Sequence, residues 1–161
     1  MQYYGIATKL GLDKKDFQGP ADKGRVPGVL PLAQDKKVMV LGGGGVGESA
    51  KATARTAIVD LDGPRPAFRP GPRLPEKSRY PNSVILPDGT LFTTGGSRGY
   101  PGRSRGGSDI LRAQIYHPAT KTFTRAAAPA VGRNYHTEAL LLPDGRVAAF
   151  GSDPLGPDWT A

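Results

Sequence analysis

The string Leu-Pro-Asp-Gly occurs twice in this chain, at Leu86–Gly89 within NSVILPDGTLFTTGGS and at Leu142–Gly145 within TEALLLPDGRVAAFGS, and the flanks align with it at an offset of 56 residues. An earlier stretch, GVLPLAQDKKVMVLGG at residues 28–43, fits the same frame more loosely at an offset of 53, with Asp35 opposite Asp88 and Gly42-Gly43 opposite Gly95-Gly96. A repeat of this period constrains the fold strongly, because each copy must be one supersecondary unit that buries its faces against its neighbours. Each unit reads as an apolar strand, a tight turn at Asp-Gly and a second apolar strand that ends in small residues, which is a hairpin signal. Further strand follows in each. AQIYHPATKTFTRA places Tyr116 and Phe123 on either side of a Pro-Ala-Thr-Lys turn, and TAIVDLDGPRPAFRP occupies the same place in the first unit. Four strands per unit, a period near 50 and paired glycines are the marks of a kelch-type β-propeller blade. The expected fold is all-β, a propeller segment of two blades and part of a third. An unassigned segment at 1–24 precedes blades at 25–78 and 79–131 and a partial blade at 132–161.

Composition agrees with this reading. The 161 residues include 23 glycines and 16 prolines, too many turn formers for long helices, and these residues punctuate short apolar runs. The length allows a single domain with a real core. No apolar run approaches a membrane span, so no membrane partner is expected, and MQYYGIATKLGLDKKDFQG lacks the apolar region of a signal peptide.

Two motifs compete with the repeat. Gly42, Gly44 and Gly47 have the spacing of a dinucleotide-binding turn after the apolar VMVL, and the same stretch nearly spells a phosphate loop. A nucleotide fold would need a helix to open there, yet AKATARTAIVDLDGP leaves about two turns before a β-branched run, and Glu48 puts negative charge where phosphate would sit. The glycines are therefore expected to permit close backbone approach between strands. The net charge of +8 raises nucleic acid as a partner, but it is scattered; its one concentration is SRGYPGRSRGG, with Arg98, Arg103 and Arg105. One short loop does not supply the phosphate contacts that tight binding requires, so it is read as a solvated loop and no nucleic-acid partner is expected.

With the units placed, the chain resembles the galactose oxidase and glyoxal oxidase family of copper radical oxidases, and within it the bacterial glyoxal-oxidase-like branch. The likeness is carried by RVPGVLPLAQDKKVMVLGGGGVGES, RYPNSVILPDGTLFTTGGSRGYPGR and above all VGRNYHTEALLLPDGRVAAFGSDPL, and covers roughly residues 25–155. It implies a segment of a seven-bladed propeller, with copper as cofactor, O2 as oxidant, H2O2 as product and a small alcohol, aldehyde or glycan as substrate. It also implies an extracellular or cell-surface protein. Tyr135 takes the place of the family's axial tyrosine ligand and catalytic base, His136 that of an equatorial imidazole ligand, and Tyr80 that of an aromatic wall of the substrate pocket.

The residues support this chemistry in part. Imidazole nitrogen with phenolate oxygen suits Cu(II) in a tetragonal site, and metal binding lowers a phenol's pKa enough for it to take an alcohol's proton near neutral pH. Neighbours in a regular strand point to opposite faces, so Tyr135 and His136 can serve one metal only if the chain bends, which is expected at the strand entrance after Gly132. The bland reading of a Tyr-His pair is packing between blades. His117, the other histidine, belongs to a turn and is expected to be exposed, and Asp88 and Asp144 are turn residues rather than a catalytic pair.

The sequence also departs from the family. Its radical cofactor joins a tyrosine to a cysteine that lies upstream of the present blades, and this chain has no cysteine. The family's second histidine ligand lies in a C-terminal sandwich domain beyond the stretch matched here. Two ligands of a four-residue set remain, so the isolated chain is expected to hold copper weakly and to be inactive. The alternative is a noncatalytic kelch module that binds a protein or glycan.

Overall fold

The structure is a computed structural model that describes residues 26–30, 36–44, 51–99 and 108–152. Ten strands run through it: β1 (Val26–Leu30), β2 (Lys37–Leu41), β3 (Thr56–Asp60), β4 (Arg69–Pro70), β5 (Asn82–Ile85), β6 (Leu91–Thr94), β7 (Gln114–His117), β8 (Thr122–Arg125), β9 (Thr137–Leu141) and β10 (Val147–Gly151). Among the described residues there is no helix, and none long and apolar enough to cross a membrane. Every pairing is antiparallel between sequence neighbours, giving sheets β1-β2-β3-β4, β5-β6-β7-β8 and β9-β10. The chain is all-β, and each strand read from the repeat is present.

The hairpin turns explain why Pro-Asp-Gly recurs. In the second unit Gly89 N–H donates to the Leu86 carbonyl at 2.9 Å, and Leu86 N–H to the Thr90 carbonyl at 2.9 Å. Pro87 presets the first corner, and the Asp88 carboxylate accepts from Thr90 N–H at 2.9 Å and from the Thr90 hydroxyl at 2.7 Å. Gly89 then takes a φ of 80°, which closes a three-residue loop. Asp144 and Gly145 repeat the arrangement, with Arg146 N–H on Asp144 at 3.1 Å and a φ of 83° at Gly145. In the first hairpin Lys36, φ 46°, does this without a glycine, and its ammonium pairs with Asp62 at 2.7 Å.

The second strand of each hairpin ends in a pair of left-handed residues: Gly42-Gly43 (φ 62° and 98°), Gly95-Gly96 (69° and 91°) and Gly151-Ser152 (81° and 137°). The two glycine pairs stitch one sheet to the next. Gly43 N–H donates to the Ser78 carbonyl and Gly96 N–H to the Arg133 carbonyl, both at 2.8 Å. A side chain at Gly42 would collide with the Ser78 carbonyl, and one at Gly95 with that of Arg133. The dinucleotide reading is thereby closed on physical grounds: Gly42 N–H is taken by the Arg55 carbonyl at 2.8 Å, and Gly44 bridges Ala52. Gly47 and Glu48 lie outside the described residues.

The core forms between the first two sheets. Met39 and Leu41 of β2 meet Leu74, Leu91 of β6 and Tyr116 of β7, with Ile58, Ile85 and Phe123 packed around them. Tyr116 and Phe123 pair across the β7-β8 hairpin with centroids 5.0 Å apart and planes tilted at 47°, as their places on either side of one turn allow. The first strands of the three sheets lie side by side, β1 by β5 and β5 by β9. Asn82 Nδ2 donates to Thr137 Oγ1 at 2.6 Å between the starts of β5 and β9. These starts carry the residues of interest.

Candidate functional site

Tyr135 and His136 stand just before β9, and the chain there is anchored from both sides. Asn134 is completely buried; its Nδ2 donates to Asp109 Oδ1 at 2.8 Å, and its Oδ1 accepts from Ser152 Oγ at 3.0 Å. Both partners follow glycine pairs or complete one, so the loops that leave β6 and β10 hold the entrance of β9. A side chain at Gly151 would crowd the His136 carbonyl. The backbone of the pair is therefore fixed even though His136 is exposed and Tyr135 half-buried.

The required bend is present at the strand entrance after Gly132, and His136 makes it: its φ is 48°, in the left-handed region, while Gly132 lies flush against the Asp109 carboxylate. The inversion at His136 brings the two rings to one side, stacked with centroids 3.9 Å apart and planes at 24°. Successive side chains that would diverge in a strand thus share one surface.

Tyr80 joins them. Its ring meets Tyr135 edge-on, with centroids 4.9 Å apart and planes at 71°, a favourable aromatic geometry. Tyr80 is left-handed too, φ 54°, and stands six residues before Leu86 as His136 stands six before Leu142. In the strand register its counterpart is therefore His136 rather than Tyr135. The three side chains assigned by resemblance come together from two neighbouring sheets.

One participant was missed. Arg79 is 1% exposed, its guanidinium donates to the Tyr80 hydroxyl at 3.2 Å, and its Cζ lies 5.2 Å from the Tyr80 ring centroid. A side chain at Gly44 would lie 2.7 Å from Arg79 Cδ and 2.9 Å from Nε. The glycine-rich stretch thus leaves room for an arginine stem, and that arginine backs the tyrosine. Nothing in the RYPNSV string marks Arg79 for burial, since arginine is normally exposed. Its permanent charge lies beside the aromatic group.

Other candidates lie elsewhere. His117 ends β7, where Nε2 and Thr124 Oγ1 share a hydrogen bond of 2.8 Å, and it does not join the Tyr135 group. Asp88 and Asp144 sit in hairpin turns, their carboxylates held below the usual range first by side-chain hydrogen bonds, from Thr90 and Arg146. Arg98 pairs with Glu76 at 3.4 Å, while Arg103 and Arg105 lie outside the described residues. Among the described residues no three His, Cys, Asp or Glu side chains gather as a metal site. The cluster itself brings together two phenols, of Tyr80 and Tyr135, and the imidazole of His136.

No family model matches the chain. Over 126 residues, 74% of this chain and 18% of the relative, the sequence is 33% identical to galactose oxidase of Gibberella zeae. A solved fungal alcohol oxidase of the AA5 family, in complex with copper, superposes with a TM-score of 0.69 at 25% identity, over 82% of this chain and 27% of that one. The chain is galactose oxidase-like. A WSC domain-containing protein of Arthroderma benhamiae is 37% identical over 89 residues, 53% of this chain and 10% of that protein. The structure of YjhT matches with a TM-score of 0.58 at 14% identity, covering 81% of this chain and 34% of that one, a likeness of fold alone. The galactose oxidase-like segment spans less than a fifth of the curated galactose oxidase it matches.

Proposed function

We propose that this chain is a propeller segment of a copper radical oxidase that oxidises a primary alcohol or aldehyde with O2 and releases H2O2. In this reading the three sheets are successive blades, Tyr135 and His136 are two of the copper ligands, and Tyr80 walls the substrate pocket. The observation that carries the reading is the stacking of Tyr135 on His136 at 3.9 Å, because it puts a phenol and an imidazole on one surface despite their adjacency. That donor chemistry fits Cu(II) as part of a ligand set. Copper, when bound, supplies the redox chemistry with O2. Tyr135 accepts the proton of the substrate hydroxyl, His136 holds its ring against Tyr135 through the fixed left-handed backbone, and Tyr80 shields one edge from water. The complete oxidase works outside the cytoplasm in this reading.

The isolated chain is proposed to be inactive, because without cysteine it cannot form a cysteine-linked tyrosyl cofactor. The second reading is a noncatalytic kelch module binding a protein or glycan. Visible absorption of the Cu(II)-loaded chain separates the two. The oxidase reading expects a phenolate-to-copper band that Tyr135→Phe abolishes and Tyr116→Phe leaves intact. A spectrum without that band, or one indifferent to Tyr135, would favour the interaction module.

A further inference from the structure

Asn134 immediately precedes the Tyr135-His136 pair and is completely buried. Its amide reaches in two directions: Nδ2 donates to Asp109 Oδ1 at 2.8 Å, and Oδ1 accepts from Ser152 Oγ at 3.0 Å. Asp109 stands on the second sheet's side of the junction, where it bridges Ser97, and the next residue, Ile110, donates its N–H to the Gly96 carbonyl at 3.0 Å. Ser152 completes the left-handed pair that ends β10 of the third sheet. One amide thus joins two sheets. A side chain at Gly132 would overlap the Asp109 carboxylate, so the clamp closes only because that position is glycine.

The clamp has a polarity. A carboxylate only accepts, so the amide nitrogen must face Asp109 and the amide oxygen is turned to the Ser152 hydroxyl, which leaves Asn134 one orientation. A hydrogen bond to a carboxylate is also stronger than one between neutral groups. What the clamp holds is the backbone on which the two rings stand. Just before it, the Arg133 carbonyl accepts from Gly96 N–H at 2.8 Å; just after, Thr137 pairs with Gly151. Between these points His136 takes a φ of 48°, a conformation that persists only where its surroundings impose it. Because His136 is exposed, burial does not aim its ring; the backbone turn does, by setting it over Tyr135.

We propose that Asn134 is a positioning residue for the Tyr135-His136 pair: its amide, donor to Asp109 and acceptor from Ser152, holds the left-handed turn that stacks phenol on imidazole, so that both donors face one side before any metal arrives. Supporting groups of this kind, outside the ligands themselves, set ligand direction and metal affinity. The role in copper binding rests on the oxidase reading; the role in holding the rings does not.

The test swaps the polarity of the clamp in the full chain. Asn134→Asp sets a second carboxylate against Asp109 and should open the turn, whereas Asn134→Asp combined with Asp109→Asn again places one amide against one carboxylate and should close it. Proton NMR reads the stack without metal, because protons over the face of an aromatic ring are shifted upfield. The His136 ring signals are expected upfield of those of His117, to lose that shift in Asn134→Asp and to regain it in the double variant, while His117 stays unmoved. Cu(II) affinity, measured by competition with a chelator, should fall about tenfold in the single variant and recover in the double. If the single variant does not fold, recovery of the stack in the double variant decides. A folded Asn134→Asp chain with His136 still shifted, or a double variant in which the shift does not return, would overturn the proposal. Loss and return of the stack with copper affinity unchanged would support the clamp and count against the oxidase reading instead.

Discussion

Tyr80 and His136 share one left-handed backbone conformation, φ 54° and 48°, at the same place ahead of the Leu-Pro-Asp-Gly hairpins of neighbouring sheets. Side chains other than glycine rarely adopt this region, and the strain is tolerated where surrounding structure holds it. Here Asn134, Ser152 and the glycine pairs do so, and the outcome is that Tyr80, Tyr135 and His136 converge.

Copper should discriminate between the two histidines. Cu(II) is expected to bind the purified chain weakly, and His136→Ala should reduce that affinity much more than His117→Ala, because only His136 is stacked on a second donor residue. Competition with a chelator of known strength measures the difference. Equal losses would remove Tyr135 and His136 from the metal role.

Arg79 should prove a structural anchor. Arg79→Met keeps much of the stem but leaves the Tyr80 hydroxyl without this donor, and it is expected to cost about 1–3 kcal/mol in urea unfolding. Tyr80→Phe should cost less, since it removes only the hydroxyl end of the contact. A variant at Arg79 as stable as the parent would show that the guanidinium contributes nothing there.

Two left-handed glycines should respond differently to alanine. Gly89 has open space around its missing side chain, so Gly89→Ala meets only the conformational penalty of about 1 kcal/mol. At Gly96 a new methyl group would also run into the Ser78 hydroxyl and, at 2.5 Å, the Arg79 carbonyl, so its loss should be clearly larger. Equal shifts in denaturation midpoint would mean that the sheet junction yields.

Acid should weaken the fold partly through the hairpin turns. The Asp88 and Asp144 carboxylates are held below their usual range chiefly by hydrogen bonds from the Thr90 and Arg146 side chains. A depressed folded pKa contributes stability that is present at neutral pH and is lost as pH falls from about 4 through the folded value. Urea midpoints measured from neutral pH down to that range should fall less steeply for Asp88→Asn with Asp144→Asn than for the parent. An identical slope would place the acid sensitivity elsewhere.

The two-stranded sheet should drive self-association. Leu140 opposes Ala148 and Phe150 opposes Glu138, so Leu140 and Phe150 project from the same face, where they are 55% and 46% exposed. Such a face, beside a sheet edge that no described strand covers, is an association surface. Sedimentation velocity should show oligomers that diminish with Leu140→Lys and Phe150→Lys. A monodisperse monomer with a sharp, reversible melt would contradict this.

The sequence by itself determined the strands, their antiparallel order and the turns. These depend on local chemistry: Asp88 bonds its own turn, Gly89 turns left-handed without a side-chain clash, and apolar runs such as VMVL become buried strands. The likeness of Tyr135, His136 and Tyr80 to an oxidase site was legible for the same reason, as a string around a repeat. The convergence of those rings was not legible, because it depends on a left-handed histidine that no propensity favours and on Asn134 being clamped by Asp109 and Ser152, distant in sequence. Arg79 was invisible for a related reason. Burial of an arginine is decided by the space that Gly44 leaves 35 residues away, and only the packing of one sheet on the next brings those two positions together.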